Sequence, residues 1–226
     1  MAYEFVFFDL DGTLVDSSEG ITSSVEYALN KLGIFPETRK ELYCFIGPPL
    51  LESFMRFYGF SEEKAGEAVD LYRERYREKG VYMNRVYEGV PELLSSLAEA
   101  GIKPVLATSK PEVFADIVLD TMGLKPYFCF AAGAELDDKE GRQRKLRIKK
   151  EDVIAYALES LGIEDPKRAL MVGDRLHDIV GANKNGMDSV GVLFGFGSRE
   201  ELTEAGATYI AAEPMEVLGF ALGKDR

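Results

Sequence analysis

Three short apolar runs, each closed by a polar residue, constrain the fold of this chain more than any other feature. They are Phe5-Val6-Phe7-Phe8 before Asp9, Pro104-Val105-Leu106-Ala107 before Thr108, and Ala169-Leu170-Met171-Val172-Gly173 before Asp174. Each is apolar at consecutive positions rather than at alternate ones. That is the pattern of a strand buried on both faces, the habit of a parallel sheet. Helical patterns follow the second and third runs, at Pro111–Met122 and Leu176–Lys184. Further strands are predicted at Tyr127–Ala131, Ser189–Leu193 and Thr208–Ala211. Strands alternating with helices predict an α/β fold with a mostly parallel sheet.

The stretch 16–88 reads differently. Ile21, Val25, Leu29 and Leu32 fall on one helical face; Leu51, Phe54, Met55 and Tyr58 repeat the pattern, as do Val69, Tyr72 and Tyr76. Arg73, Arg75 and Arg77 are expected on the solvated side of the last of these helices. No strand pattern interrupts the block. A helical domain at 16–88 is therefore expected to be inserted into a core built from 1–15 and 89–226, through linkers near 14–20 and 79–89. A chain of 226 residues has room for that division.

Acidic residues outnumber basic ones 39 to 27, a formal net charge of −12. Such a surface repels phosphate backbones and anionic lipid, which argues against a nucleic-acid polymer or a membrane as partner. A small anionic ligand stays compatible, because one metal ion and a few lysines reverse the field locally. Cys44 and Cys129 lie far apart without metal-ligand spacing and are expected as reduced thiols. No run approaches about 18 apolar residues, and the opening apolar stretch is too short for a signal-peptide core. The expected location is the cytoplasm.

In open α/β sheets, ligands bind beyond the carboxyl ends of the strands. Asp9, Thr108 and Asp174 each occupy such an end, so three separate segments deliver polar groups to one rim. Around them the chain reads Asp9-Leu10-Asp11-Gly12-Thr13 and Gly173-Asp174-Arg175-Leu176-His177-Asp178. Two close carboxylates facing two more repel one another unless a cation intervenes, and hard oxygen ligands of this kind suit magnesium. The amides of Leu10 to Thr13, in a tight glycine-containing turn, are expected to form an anion nest. Taken singly, Asp9 reads equally well as a strand-end cap and Asp174 as a turn residue; their joint occurrence at strand ends points to one site. His177 is expected on a helix surface rather than in acid–base work.

These residues carry a resemblance. Asp9-Leu10-Asp11-Gly12-Thr13-Leu14-Val15-Asp16-Ser17, Thr108-Ser109-Lys110-Pro111, a downstream lysine, and Gly173-Asp174 followed by Asp178 resemble, in order and spacing, the four motifs of the haloacid dehalogenase superfamily. The resemblance implies a three-layer Rossmann-like core, with the helical insertion as a cap of that superfamily's first type. Phe45-Ile46-Gly47-Pro48-Pro49-Leu50 and Ala107-Thr108-Ser109-Lys110-Pro111 look most like the phosphoglycolate phosphatases and their 5′-nucleotidase-like relatives. What it implies is a magnesium-dependent phosphatase acting on a small phosphorylated metabolite. Asp9 would be the nucleophile and Asp11 the acid and then the base. Asp9, the Asp11 carbonyl and Asp174 would hold magnesium, with Asp178 supporting them from the outer shell. Thr108, Ser109 and a lysine would bind the phosphoryl group; Lys150 fits that place best and Lys149 is its rival. Gly47 and Pro48 would belong to a substrate-reading loop of the cap.

The basic stretch Lys139–Lys150 is expected to be a solvated hairpin or loop rather than an anion-steering patch. A sugar-phosphate mutase shares the same motifs, since the difference lies in how well the cap excludes water. A phosphonate hydrolase would need a Schiff-base lysine in the cap, for which Lys31 and Lys40 are the candidates. A phospho-accepting signalling module also gathers acids, a threonine and a lysine around magnesium, but lacks an aspartate two residues after the acceptor. Phe45, Phe54, Tyr58 and Phe60 could form a shelf for a base; core packing is the expected use of most of them.

Overall fold

The computed structural model describes residues 2–136 and 147–224. The chain divides into two compact units, one running through Val15 and resuming at Val86, the other spanning Asp16–Arg85. The first unit begins with β1 (Phe5–Phe8), and the chain leaves it through β2 (Val15–Asp16). The second unit contains α1 (Ser18–Lys31), α2 (Leu50–Tyr58) and α3 (Glu62–Glu78), with 3-10 turns at Arg39–Phe45 and Gly80–Tyr82. The chain re-enters the first unit through β3 (Arg85–Val86) and continues as α4 (Val90–Glu99), β4 (Lys103–Pro111), α5 (Glu112–Thr121) and β5 (Phe130–Ala134). There follow α6 (Lys150–Ser160), β6 (Ala169–Gly173), α7 (Leu176–Lys184), β7 (Asp188–Val192), α8 (Arg199–Glu204), β8 (Tyr209–Ala211) and α9 (Pro214–Ala221).

Six strands form one parallel sheet in the order β5-β4-β1-β6-β7-β8. β1 lies at its centre, where the chain order reverses, which is the switch point that open α/β sheets use for ligands. Register completes the placement. Phe8 is level with Leu106 of β4 and Val172 of β6, so Asp9 stands one position before the level of Thr108 and Asp174 on the carboxyl side, and the strand expected to end at Ala107 runs on through Thr108 to Pro111.

The continuous apolar runs are explained by helices on both faces. Phe5, Phe7, Val105, Ala107, Ala169 and Met171 point to one face, packed against Val153, Ile154, Ala157 and Leu158 of α6 and Ala182 of α7. The alternate residues Val6, Phe8, Leu106, Leu170 and Val172 are equally buried on the other. There α4 packs on β4 and α9, and α9 on β8. Truncating a residue such as Phe7 to alanine would cost about 3–5 kcal/mol.

The second unit is held by its own core. Ile21, Val25 and Leu29 of α1 are buried, as are Val69, Tyr72 and Tyr76 of α3, whose two tyrosine rings stack 5.3 Å apart. Phe45, Phe54 and Phe60 are also buried, with the Phe54 ring 4.8 Å from Phe45 and stacked on Phe60 at 6.0 Å. Packing within this unit is therefore their use. In α3, Ser61 caps the first turn by accepting from the Lys64 amide.

Two local expectations are corrected. The strand predicted at Tyr127–Ala131 is β5, Phe130–Ala134, and Lys125–Tyr127 wind into a 3-10 turn instead. Pro126 has no amide hydrogen to give a ladder, so the strand starts later. In α2 the buried residues are Ser53 and Phe54, while Met55, one step further round the helix, is exposed.

Candidate active site

The site begins where β1 ends. The Asp9 amide donates to the Val172 carbonyl at 2.9 Å, extending the ladder by one residue. The chain then folds tightly, and the Leu10 carbonyl accepts from the amides of Thr13, Leu14 and Val15. Gly12 makes this turn possible twice over. Its φ of +86° lies in the left-handed region, and a Cβ there would stand 2.2 Å from Asp174 Oδ2. The expected anion nest over Leu10 to Thr13 is corrected in part. The Gly12 and Thr13 amides are used inside the turn, by the carbonyls of Val15 and Leu10.

Asp174 follows β6 and has no solvent exposure. Thr13 Oγ1 donates to its Oδ1 at 3.3 Å and the Phe196 amide to its Oδ2 at 2.8 Å. Burial first, then the neighbouring Asp178 and Asp9, push its carboxyl well above the usual range. The Phe196 contact comes from a loop that the motif reading did not single out. A Cβ on Gly195 would stand 2.3 Å from the Gly12 carbonyl oxygen and 2.4 Å from Asp174 Cβ. The signal that could have found this loop is the run Phe194-Gly195-Phe196-Gly197 just beyond a predicted strand.

Asp178 is buried in the first turn of α7, where its Oδ2 accepts from the Arg175 amide at 3.1 Å. Burial raises its carboxyl to about 6, against the opposing pull of Lys150. Lys150 opens α6 and is only 3% exposed. Its Nζ donates to the Ala107 carbonyl at 2.9 Å and lies 2.8 Å from both Asp9 Oδ1 and Asp178 Oδ1. Those two contacts are ion pairs off the directions a hydrogen bond needs. Burial acts to lower the Lys150 ammonium, and Asp178 and Asp9 outweigh it and hold it above its ordinary value. Its rival Lys149 is exposed just before the helix.

Thr108 and Lys110 are buried on β4, and Ser109 between them is half-buried. Lys110 Nζ donates to both carboxylate oxygens of Asp11, at 2.7 Å each. The motif reading stopped at Thr108 and Ser109. Lys110 stands two residues after Thr108, the spacing that keeps two residues of a regular strand on one side, but the pairing of β4 with β5 shifts between Ala107 and Pro111.

The donor set fits a divalent cation. Oxygens of Asp9, Asp174 and Asp178 lie within 4.8 Å of one another. Four buried carboxylates face two buried ammonium groups, so the cluster is formally short of two positive charges, the charge of one such ion. All the acidic ligands are oxygens, as magnesium prefers.

Gly47 and Pro48 belong to the second unit, just before α2, with Gly47 at φ +101°. Lys31 and Lys40 are exposed residues of the same unit. His177 is half-buried on α7. Arg175 pairs with Glu201 at 2.9 Å. Of the basic stretch, Lys139–Lys145 lie outside the described residues. Arg147 is engaged with Glu112 and with the Tyr156 ring, 3.9 Å from its centroid.

The family model of the haloacid dehalogenase-like hydrolases matches residues 6–192. A 5′-nucleotidase of Pseudomonas aeruginosa is 45% identical over 213 residues, covering 94% of this chain and 93% of its own. A tyrosine-protein kinase of Mycobacterium tuberculosis is 39% identical, covering 97% and 72%. A phosphoglycolate phosphatase of Agrobacterium fabrum is 32% identical, covering 84% and 80%. The crystal structure of a predicted phosphatase from Clostridium acetobutylicum superposes with a TM-score of 0.89 at 49% identity, covering 96% of this chain and 97% of that one. Sheet order, motif placement and these similarities agree: the chain belongs to the haloacid dehalogenase-like hydrolase family and is a phosphatase.

Proposed function

We propose that this phosphatase hydrolyses a small phosphate monoester with magnesium, through an aspartyl phosphate on Asp9. The observation that carries the proposal is the convergence of Asp9, Asp11, Asp174 and Asp178 with Lys110 and Lys150 in one buried cluster at the sheet's switch point. A carboxylate is a weak base but a competent covalent nucleophile where neighbouring cations offset its charge.

In this reading an Asp9 oxygen attacks phosphorus while Asp11 gives a proton to the departing oxygen. Water then attacks the same phosphorus, Asp11 takes its proton, and the bonding pair returns to Asp9. One group serving as acid and then as base suits a reaction divided in two. Thr108, Ser109 and Lys150 hold the phosphoryl oxygens. Asp9, the Asp11 carbonyl and Asp174, supported by Asp178, would hold magnesium, which when bound would offset the charge of nucleophile and phosphate. The helical insertion, 16–88, acts as the cap, and its Gly47-Pro48 turn takes part in reading the substrate. The identity to a 5′-nucleotidase supports nucleoside monophosphates as the first class to try, with phosphoglycolate second. The two cysteines, Cys44 and Cys129, far apart in the sequence, support a reducing compartment, the cytoplasm. No helix among the described residues is long and apolar enough to cross a membrane.

The test is release of free phosphate, with magnesium, from a panel of nucleoside monophosphates, phosphoglycolate, sugar phosphates and p-nitrophenyl phosphate. A preference of about 100-fold in kcat/KM, roughly 2.7 kcal/mol of discrimination, names the class. Asp9→Asn must abolish turnover; full activity in that variant overturns the reading. Isomerised sugar phosphate without free phosphate points to a mutase instead.

A further inference from the structure

We propose that Lys110 is a positioning residue for Asp11, holding its carboxylate for the second half of the reaction, the attack of water on phospho-Asp9. The inference rests on the reading of Asp11 as the acid–base group. Lys110 Nζ meets both oxygens of Asp11 at 2.7 Å, with the two side chains 5% and 12% exposed. A contact to both oxygens fixes the plane of the carboxylate as well as its position, which a single contact would not do. The pair joins β4 to the turn after β1, across 99 residues of sequence. Lys110 is itself held on its strand, its amide donating to Thr108 Oγ1 at 3.2 Å. The lysine is thus tied to the threonine proposed for phosphate and reaches the carboxylate proposed for water.

The chemistry follows from the contact. Held by both oxygens, the carboxylate keeps one plane and one position for the incoming water. In that step the water oxygen bonds to phosphorus, its proton passes to Asp11, and the phosphorus–oxygen bond to Asp9 breaks with its pair returning to Asp9. General-base assistance of this kind is worth roughly 100-fold or more when the base is correctly placed. Departure of the leaving group precedes this step, and p-nitrophenolate, a good leaving group, departs without needing a proton from Asp11.

The experiment is transient kinetics on Lys110→Met, with p-nitrophenyl phosphate and an alkyl monophosphate that the wild-type chain turns over. The expected result is a stoichiometric burst of nitrophenolate followed by turnover about 100-fold slower than wild type. KM should fall with kcat, leaving kcat/KM nearly unchanged, and kcat should become the same for both substrates. Phosphate should be recovered on Asp9 after acid quench. Lys110→Arg, which keeps a two-pronged donor, should restore much of kcat. A parallel fall in kcat and kcat/KM without phosphoenzyme overturns the inference, and so does unchanged turnover. Should Lys110→Met fail to fold, Lys110→Gln puts the same question, with a burst or its absence deciding. Asp11→Ala separates the two readings. If it keeps full turnover, the acid–base reading fails; if it loses turnover while Lys110→Met shows no burst, only the role of Lys110 fails.

Discussion

Lys150 Nζ stands 2.8 Å from Asp9 Oδ1, an ion pair closed off from solvent between the end of β1 and the start of α6. The same ammonium is 2.8 Å from Asp178, so one cation serves two buried acids. Removing one member of a buried ionic group strands the others, at a cost of about 3–5 kcal/mol. Lys150→Met should therefore lower the melting temperature by many degrees and remove nearly all turnover. Adding Asp178→Asn takes away one stranded charge and should recover part of the lost stability. Thermal denaturation of the two variants without magnesium decides this. A double variant no more stable than the single would mean that Lys150 acts through packing alone.

Asp174 offers a different lever, because its two oxygens already have protein donors in Thr13 and Phe196. Asparagine at this position keeps the shape and one acceptor oxygen but removes the charge. Asp174→Asn should raise the magnesium concentration for half-maximal rate by roughly 10-fold or more, in keeping with the sensitivity of metal sites to their supporting contacts. At saturating magnesium much of kcat should return. Magnesium titrations of rate and of melting temperature on the same samples check it, and an unchanged requirement in both would remove Asp174 from the proposed ligands.

Gly12 and Gly195 press on that carboxylate from two sides. Alanine at Gly12 meets an obstacle at 2.2 Å and a left-handed backbone, the latter alone worth about 1–2 kcal/mol. Gly12→Ala should thus weaken magnesium binding as well as the fold, since Asp174 is what has to move. Gly66→Ala is the control, on the face of α3 where a Cβ meets nothing within 4 Å. Calorimetric magnesium titration of the two variants should separate them. Equal affinity would show that the turn yields without disturbing Asp174.

What could be read from the sequence was set by range of interaction. Continuous apolar runs identified β1 and β6 to the residue, because burial on both faces removes the ambiguity of period. Polar residues closing the apolar runs singled out Asp9, Thr108 and Asp174, although β4 runs on past Thr108 to Pro111. The Lys110–Asp11 pair was not legible, since it depends on register between β4 and the turn after β1. The same holds for Phe196, whose amide reaches Asp174 from 22 positions away. Side-chain type announced the acids; only tertiary placement says which cation answers which acid. The nest was over-read for a related reason, because a glycine-containing turn also consumes its own amides.

The last prediction concerns pH. Asp178, raised to about 6, and Asp174, held well above its ordinary value, contrast with about 3.9 for an aspartate in the unfolded chain. Between those values the folded chain binds more protons than the unfolded one, so their contribution to stability is complete below about pH 4 and is lost as pH rises through 6 and beyond. A magnesium ion held by Asp174 with Asp178 in support would favour the charged form of both acids, so its binding would release their protons and strengthen with pH. The rise in melting temperature on adding saturating magnesium should therefore be small at pH 5 and large at pH 8. Asp178→Asn should flatten that dependence by removing one of the two titrating groups, while leaving the part due to Asp174. Differential scanning fluorimetry at four pH values, with and without magnesium, is sufficient. A magnesium-induced shift that is the same at pH 5 and pH 8 in the wild-type chain would mean that magnesium binding is not linked to the protons of these two acids.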